Sequence, residues 1–153
     1  MTANSIKGQN SQLSLKFKTN TMLISAKRFL LVDDDPINNI LSRKVLENSL
    51  GNVDVTEFLV PEVALEYIVT EYQLLQPGER TTILLDINMP TMTGWEFLDA
   101  FQTFSAPIKN HFNIYMLSSS IDPADIERAN LNPLVIDFLQ KPLHNVGLAK
   151  IFG

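Results

Sequence analysis

Three acidic residues, Asp33, Asp34 and Asp35, follow directly on the apolar run Arg28-Phe29-Leu30-Leu31-Val32. A second apolar run, Thr82-Ile83-Leu84-Leu85, ends in Asp86. A third, Phe112 to Leu117, ends in Ser118-Ser119-Ser120, and a fourth, Val135 to Leu139, is followed by Gln140-Lys141-Pro142. Carboxylates that meet in space repel one another, so they call for a cation. Mg²⁺ suits such a group, being a hard ion that takes one or two carboxylates and keeps several waters. Asp34 and Asp86 are the expected direct ligands, with Asp33 acting directly or through water. A retained water exchanges readily for a phosphoryl oxygen. Lys141 would add positive charge and Ser118 a hydroxyl donor, which together with the metal complement a phosphoryl group. Asp86 could then serve as nucleophile and form an acyl phosphate.

The elements that must position these groups alternate in type. Short apolar runs read as strands: β1 at 28–32, β2 at 53–58, β3 at 82–86, β4 at 112–118 and β5 at 135–139. Helical stretches separate them. α1 begins at Asp35-Pro36, an N-cap followed by a proline at the first helical position, and stops near Gly51. Its expected buried face carries Ile37, Ile40, Leu41, Val45 and Leu46. α2 starts at Pro61-Glu62 and carries Val63, Ala64, Tyr67 and Ile68. α3 runs from Trp95 to Phe104, α4 from Pro123 to Leu131, and α5 from about Leu143 to Phe152.

Strands alternating with helices predict parallel βαβ units, a doubly wound α/β sheet with helices on both faces. Strand runs without polar alternation fit a sheet covered on both sides. Ligands of such sheets sit beyond the carboxyl ends of the strands. The polar residues gather at those ends, from four strands, in order. Taken singly, each has a plainer reading. An acidic run after a strand is usually a turn and a helix N-cap, and Asp35 is read only as that cap. The serines alone read as a turn, and Lys-Pro alone marks a strand end. In β5, Phe138 alone reads as core. His111 and His144 are isolated and carry no assigned role.

Composition narrows the classes. The chain has 153 residues, 45% apolar and 19% charged, with no cysteine. That excludes a disulfide scaffold, a thiolate zinc site and a cysteine nucleophile, and fits a reducing, cytoplasmic setting. The net charge of −5 is a sum of unlike parts. Residues 1–28 carry five cations and no acid, and residues 29–153 carry the other seven cations and all 17 acids, a net −10. The acidic body predicts no nucleic-acid partner, and no apolar run approaches the roughly 20 residues of a membrane span. Residues 1–27 read as a basic polar tail without fixed structure, with Met22 the expected natural start, and 28–153 as one domain.

These segments resemble the receiver domain of two-component response regulators, over about residues 28–152. The resemblance rests on Phe29-Leu-Leu-Val-Asp-Asp-Asp-Pro-Ile-Asn, on Ile83-Leu-Leu-Asp-Ile-Asn-Met-Pro-Thr-Met-Thr-Gly-Trp-Glu, on Met116-Leu-Ser-Ser-Ser and on Phe138-Leu-Gln-Lys-Pro. It implies a five-stranded parallel sheet of order 2-1-3-4-5. It implies Asp86 as phosphoacceptor, and Mg²⁺ held by Asp34, by Asp33 through water, by Asp86 and by the backbone carbonyl of Asn88. Lys141 would contact the phosphoryl group, with a cis bond to Pro142. Ser118 would be the switch hydroxyl and Phe138 the aromatic that turns inward with it, altering the α4–β5–α5 face. The implied partners are a sensor histidine kinase or histidine phosphotransfer protein and a downstream protein target, with a homodimer through α4–β5–α5 left open.

Ser118 stands where threonine is commoner, Ser119 where alanine is common, and Phe138 lacks the phenolic hydroxyl of many members. Pro61 replaces a frequent glycine, and residues 73–81 make a slightly long connection. None of these removes a chemical group the site needs. With about a dozen residues after Lys141, the expectation is a stand-alone receiver rather than an enzyme, beyond self-phosphorylation and slow hydrolysis. Two alternatives are weaker. One is a phosphorylation-independent interaction module. The other is a Mg²⁺-dependent aspartyl-phosphate phosphohydrolase, which wants a second acid where Asn88 stands. A dinucleotide binder lacks its G-x-G-x-x-G after β1.

Overall fold

The computed structural model describes residues 25–152. The expectations for the basic tail and for Met22 fall almost wholly on residues 1–24, outside the described residues. Five strands form one parallel sheet in the order β2-β1-β3-β4-β5. They are β1 (Lys27–Val32), β2 (Val53–Phe58), β3 (Thr81–Asp86), β4 (Phe112–Ser118) and β5 (Val135–Gln140). Between them run α1 (Pro36–Leu50), α2 (Pro61–Tyr72), α3 (Gly94–Gln102), α4 (Pro123–Leu131) and, last, α5 (Asn145–Phe152). A single helical turn, Ala106–Lys109, precedes β4.

Successive strand residues point to opposite faces, and both faces are covered. Leu30, Val32, Ile83, Leu85, Ile114 and Met116 pack with Ala64 and Ile68 of α2 and with Phe97 and Phe101 of α3. Their neighbours in sequence, Phe29, Leu31, Leu84, Tyr115, Leu117 and Leu139, pack on the other side with Leu46 of α1 and Leu148 of α5. That explains the continuous apolar runs of β1, β3 and β4, which are the three inner strands. The outer strands β2 and β5 are only partly buried.

Local sequence starts two helices as expected. Asp35 caps α1 by accepting from Ile37 N at 2.9 Å, with Pro36 first in the helix. Asp122 caps α4 the same way, accepting from Ala124 N at 2.9 Å ahead of Pro123.

The buried face of α1 is only in part the one its apolar residues suggest, since Leu46 is buried and Val45 packs against the core as expected. Asn39, Ser42 and Leu46 face inward, whereas Ile37, Ile40 and Leu41 are 63%, 49% and 44% exposed. Polar tertiary bonds set this phase. Asn39 Nδ2 donates to the Asp33 carbonyl at 3.1 Å. One turn later Arg43 Nη2 donates to Val55 O of β2 at 2.9 Å, while its Nε pairs with Glu57. Satisfying these groups outweighs burying three aliphatic side chains, because a buried carbonyl without a partner is costly.

Candidate functional site at the carboxyl edge

The strand order places β1, β3, β4 and β5 side by side, so the four polar segments form one continuous edge. Asp33 leaves the end of β1, held by its N–H to Phe58 O at 3.1 Å. Asp86 is the last residue of β3, with Leu117 of β4 beside it and Ser118 one residue on. Ser118 pairs with Gln140 of β5. The Ser118 carbonyl then accepts from Lys141 N at 2.8 Å, which fixes where the lysine leaves the sheet. The Lys141-Pro142 bond is cis.

One carboxylate oxygen from each of Asp33, Asp34 and Asp86 lies within 4.8 Å of the other two. Asp33 and Asp86 are buried and Asp34 is exposed. Lys141 Nζ sits 2.5 Å from Asp33 Oδ2 and 3.1 Å from Asp86 Oδ1, with its own side chain largely buried. The contact to Asp33 is one of charge rather than a directed hydrogen bond, and Oδ2 has no other polar partner. Two other oxygens have backbone donors. Asp33 Oδ1 accepts from Asp35 N at 2.9 Å, and Asp86 Oδ1 accepts from Asn88 N at a long 3.4 Å.

Burial is the main force on the Asp86 carboxyl. With the nearby charge of Asp33, it pushes the pKa up to about 6, against the opposing pull of Lys141. Burial by itself would lower Lys141, but the two carboxylates outweigh it and hold the ammonium above its ordinary value. One ammonium therefore faces a cluster that would carry three negative charges. A buried oxygen lacking a directed donor, an acidic pair and an exposed third carboxylate fit a hard cation with oxygen ligands.

Ser118 is buried, and its Oγ accepts from Ser120 N at 3.2 Å. Phe138 is also buried and belongs to the cluster with Met116, Trp95 and Ala129. His111 is buried at the opposite end of the sheet, its Nε2 3.3 Å from Leu75 O.

Two features at the site owe their role to tertiary contacts. Asn39 reaches back from α1 to the acidic turn, and the only hint in the sequence is an amide in the first turns of a helix. Gly94 is legible as part of the Met-Pro-Thr-Met-Thr-Gly segment, but its reason is tertiary. A Cβ there would lie 2.5 Å from Asp86 O and 2.9 Å from Met116 Cε. The N–H of Gly94 donates to Ile87 O at 2.8 Å, so α3 starts directly against the backbone of the central carboxylate.

The family model of the response regulator receiver domain matches residues 29–152. The chain belongs to that family. Among curated proteins, the receiver is 31% identical over 129 residues to a two-component response regulator, ORR1, of Oryza sativa subsp. japonica. The match covers 81% of this chain and 53% of that protein, so the chain spans about half the length of that relative. A shorter match, 38% over 78 residues, covers 51% of this chain and 9% of the aerobic respiration control sensor protein ArcB of Escherichia coli. Solved structures agree. A response regulator receiver protein from Dyadobacter fermentans superposes with a TM-score of 0.73 at 28% identity, covering 83% of this chain and 94% of its own. A two component response regulator from Cytophaga hutchinsonii gives 0.74 at 29%, covering 84% and 96%. Among the described residues, no helix of the receiver is long and apolar enough to cross a membrane.

Proposed function

We propose that this receiver accepts a phosphoryl group on Asp86 from a phosphohistidine of a sensor kinase or phosphotransfer protein. The observation that carries the reading is the lysine bridge: Lys141 Nζ lies 3.1 Å from Asp86 Oδ1 inside a cluster of three carboxylates. An Asp86 oxygen attacks phosphorus, an O–P bond forms, and the P–N bond to the donor imidazole breaks. With its pKa near 6, Asp86 is mostly ionised at neutral pH and so available as nucleophile. Lys141 offers its ammonium to the arriving phosphoryl oxygens. Ser118 Oγ, now taken up with Ser120 N, would turn to donate to one of them. Asp33, Asp34, Asp86 and the carbonyl of Asn88 would hold Mg²⁺, which when bound supplies a positive charge for the phosphoryl oxygens.

Movement of Ser118 and repacking of Phe138 would alter the α4–β5–α5 face. Exposed Leu131, Ile136 and Val146 support a protein target or a second copy docking there. The exposed strip Ile37, Ile40 and Leu41 begins three residues beyond Asp34 and offers the donor an apolar surface beside the site. Output through protein contact, without a DNA-binding function of its own, fits the acidic body.

Incubation with a small phosphodonor and Mg²⁺ tests the reading by intact mass. One adduct of ~80 Da is expected, as one phosphoryl group on one carboxylate requires, and none on Asp86→Asn. An unmodified wild-type protein would favour an interaction module that works without phosphorylation. Release of phosphate from an organic ester would favour a phosphohydrolase.

A further inference from the structure

The three carboxylates of the site are not held alike. Asp33 is fixed by Asp35 N and by Lys141, and Asp86 by Asn88 N and Lys141. Asp34 is exposed, and among the described residues no donor or cation holds its carboxylate. The Cα–Cβ direction from which it reaches the site therefore depends on its backbone alone. The Asp33 carbonyl and the Asp34 N–H belong to one peptide plane, which is rigid. Asn39 Nδ2 donates to that carbonyl at 3.1 Å. Asn39 is only 2% exposed, so the bond is shielded from bulk solvent. Asp33 N is tied to Phe58 O at 3.1 Å on the preceding side, and Asp35 is tied as the α1 cap on the following side. The plane between them has Asn39 as its one side-chain anchor.

We propose that Asn39 is a positioning residue: by clamping the Asp33–Asp34 peptide plane it aims the Asp34 carboxylate at the Mg²⁺ site. This rests on the metal-binding part of the function proposed above. It accounts for an amide occupying a buried position on α1 while Ile37, Ile40 and Leu41 stay exposed. Groups that orient metal ligands typically change affinity by about 10–100-fold when removed.

The test is calorimetric titration of the purified chain with Mg²⁺ alone, with no phosphodonor. Asn39→Ala is expected to raise the Kd about tenfold. Asn39→Gln, which keeps an amide donor, is expected to recover part of that loss. The control is Ser42→Ala, the next buried polar position on the same helix face, which is expected to leave the Kd within about twofold since it does not touch the Asp33 carbonyl. Should Asn39→Ala fail to fold, Asn39→Leu fills the same space without a donor and takes its place. An unchanged Kd in the donor-free variant, or an equal loss in Ser42→Ala, overturns the inference while leaving the metal site standing. A wild-type chain that binds no Mg²⁺ overturns both.

Discussion

Gly94 lies so close to Asp86 that a Cβ on it would stand 2.5 Å from the Asp86 carbonyl oxygen. The helix that follows the site is thus seated on the backbone of the central carboxylate. Met116 Cε, at 2.9 Å, can swing aside, but the nearer obstruction is main chain and cannot. Gly94→Ala must move either β3 or the start of α3. Overpacking of this kind costs about 1–3 kcal/mol. Denaturant unfolding is expected to show that loss, together with slower uptake of phosphate on Asp86. A variant as stable and as reactive as wild type would mean that α3 is not seated on Asp86 as described.

Asp86 itself opposes folding at neutral pH. Its folded pKa of about 6 lies above the ordinary 3.8. A raised folded pKa means that the folded state binds the proton more tightly. The contribution of Asp86 is therefore most favourable below pH 4 and is lost as pH rises through 6. Asp86→Asn removes the penalty, and at pH 7 without divalent cation it should stabilise the fold by about 1–3 kcal/mol. The difference should shrink as pH falls from 7 to 4, and should narrow at pH 7 when Mg²⁺ stabilises the wild type. Melting curves at several pH values check this, and a difference that does not vary with pH would refute it.

Lys141 neutralises two buried carboxylates, at 2.5 Å from Asp33 and 3.1 Å from Asp86. Removing one partner of a buried ion pair is costly, about 3 kcal/mol or more, because the remaining charges lose their counterion. Lys141→Met is expected to lose stability on that scale and to lose phosphorylation. Adding Asp86→Asn to Lys141→Met should restore much of the stability, since half the uncompensated charge is gone, but none of the phosphorylation. A double variant that regains no more than Asp86→Asn gains in the wild-type background would show that the lysine does not act on Asp86 through charge.

Trp95 joins α3 to α4. Its Nε1 donates to Asp125 Oδ1 at 3.2 Å, and the Arg128 guanidinium lies 4.4 Å from its ring centroid. Trp95→Phe keeps the ring and loses the N–H, so a destabilisation of about 0.5–1.5 kcal/mol is expected. A cycle combining Trp95→Leu with Arg128→Ala should give a coupling near 0.5–1 kcal/mol for an exposed cation over an aromatic face. No coupling would leave α4 unattached to α3 at this point.

The chain order of strands, helices and polar strand ends is legible in the sequence because its signals are local. Short apolar runs such as Phe29 to Val32 and Ile83 to Leu85, bounded by polar residues, read as strands buried on both faces, and Asp35-Pro36 and Asp122-Pro123 announce helix starts within two residues. Asp33, Asp34, Asp86, Ser118 and Lys141 were legible as one edge because parallel sheets place all strand carboxyl ends together. The inward face of α1 was legible only at Val45 and Leu46. Its apolar spacing points Ile37, Ile40 and Leu41 inward, and tertiary bonds to Asp33, Val55 and Glu57 turn Asn39 and Ser42 there instead. The raised pKa of Asp86 and the single ammonium shared by two carboxylates likewise come only from distance and burial. Types and order of residues are written along one dimension. Which oxygen faces which nitrogen depends on how five strands and their helices close on one another, and local spacing carries no record of that.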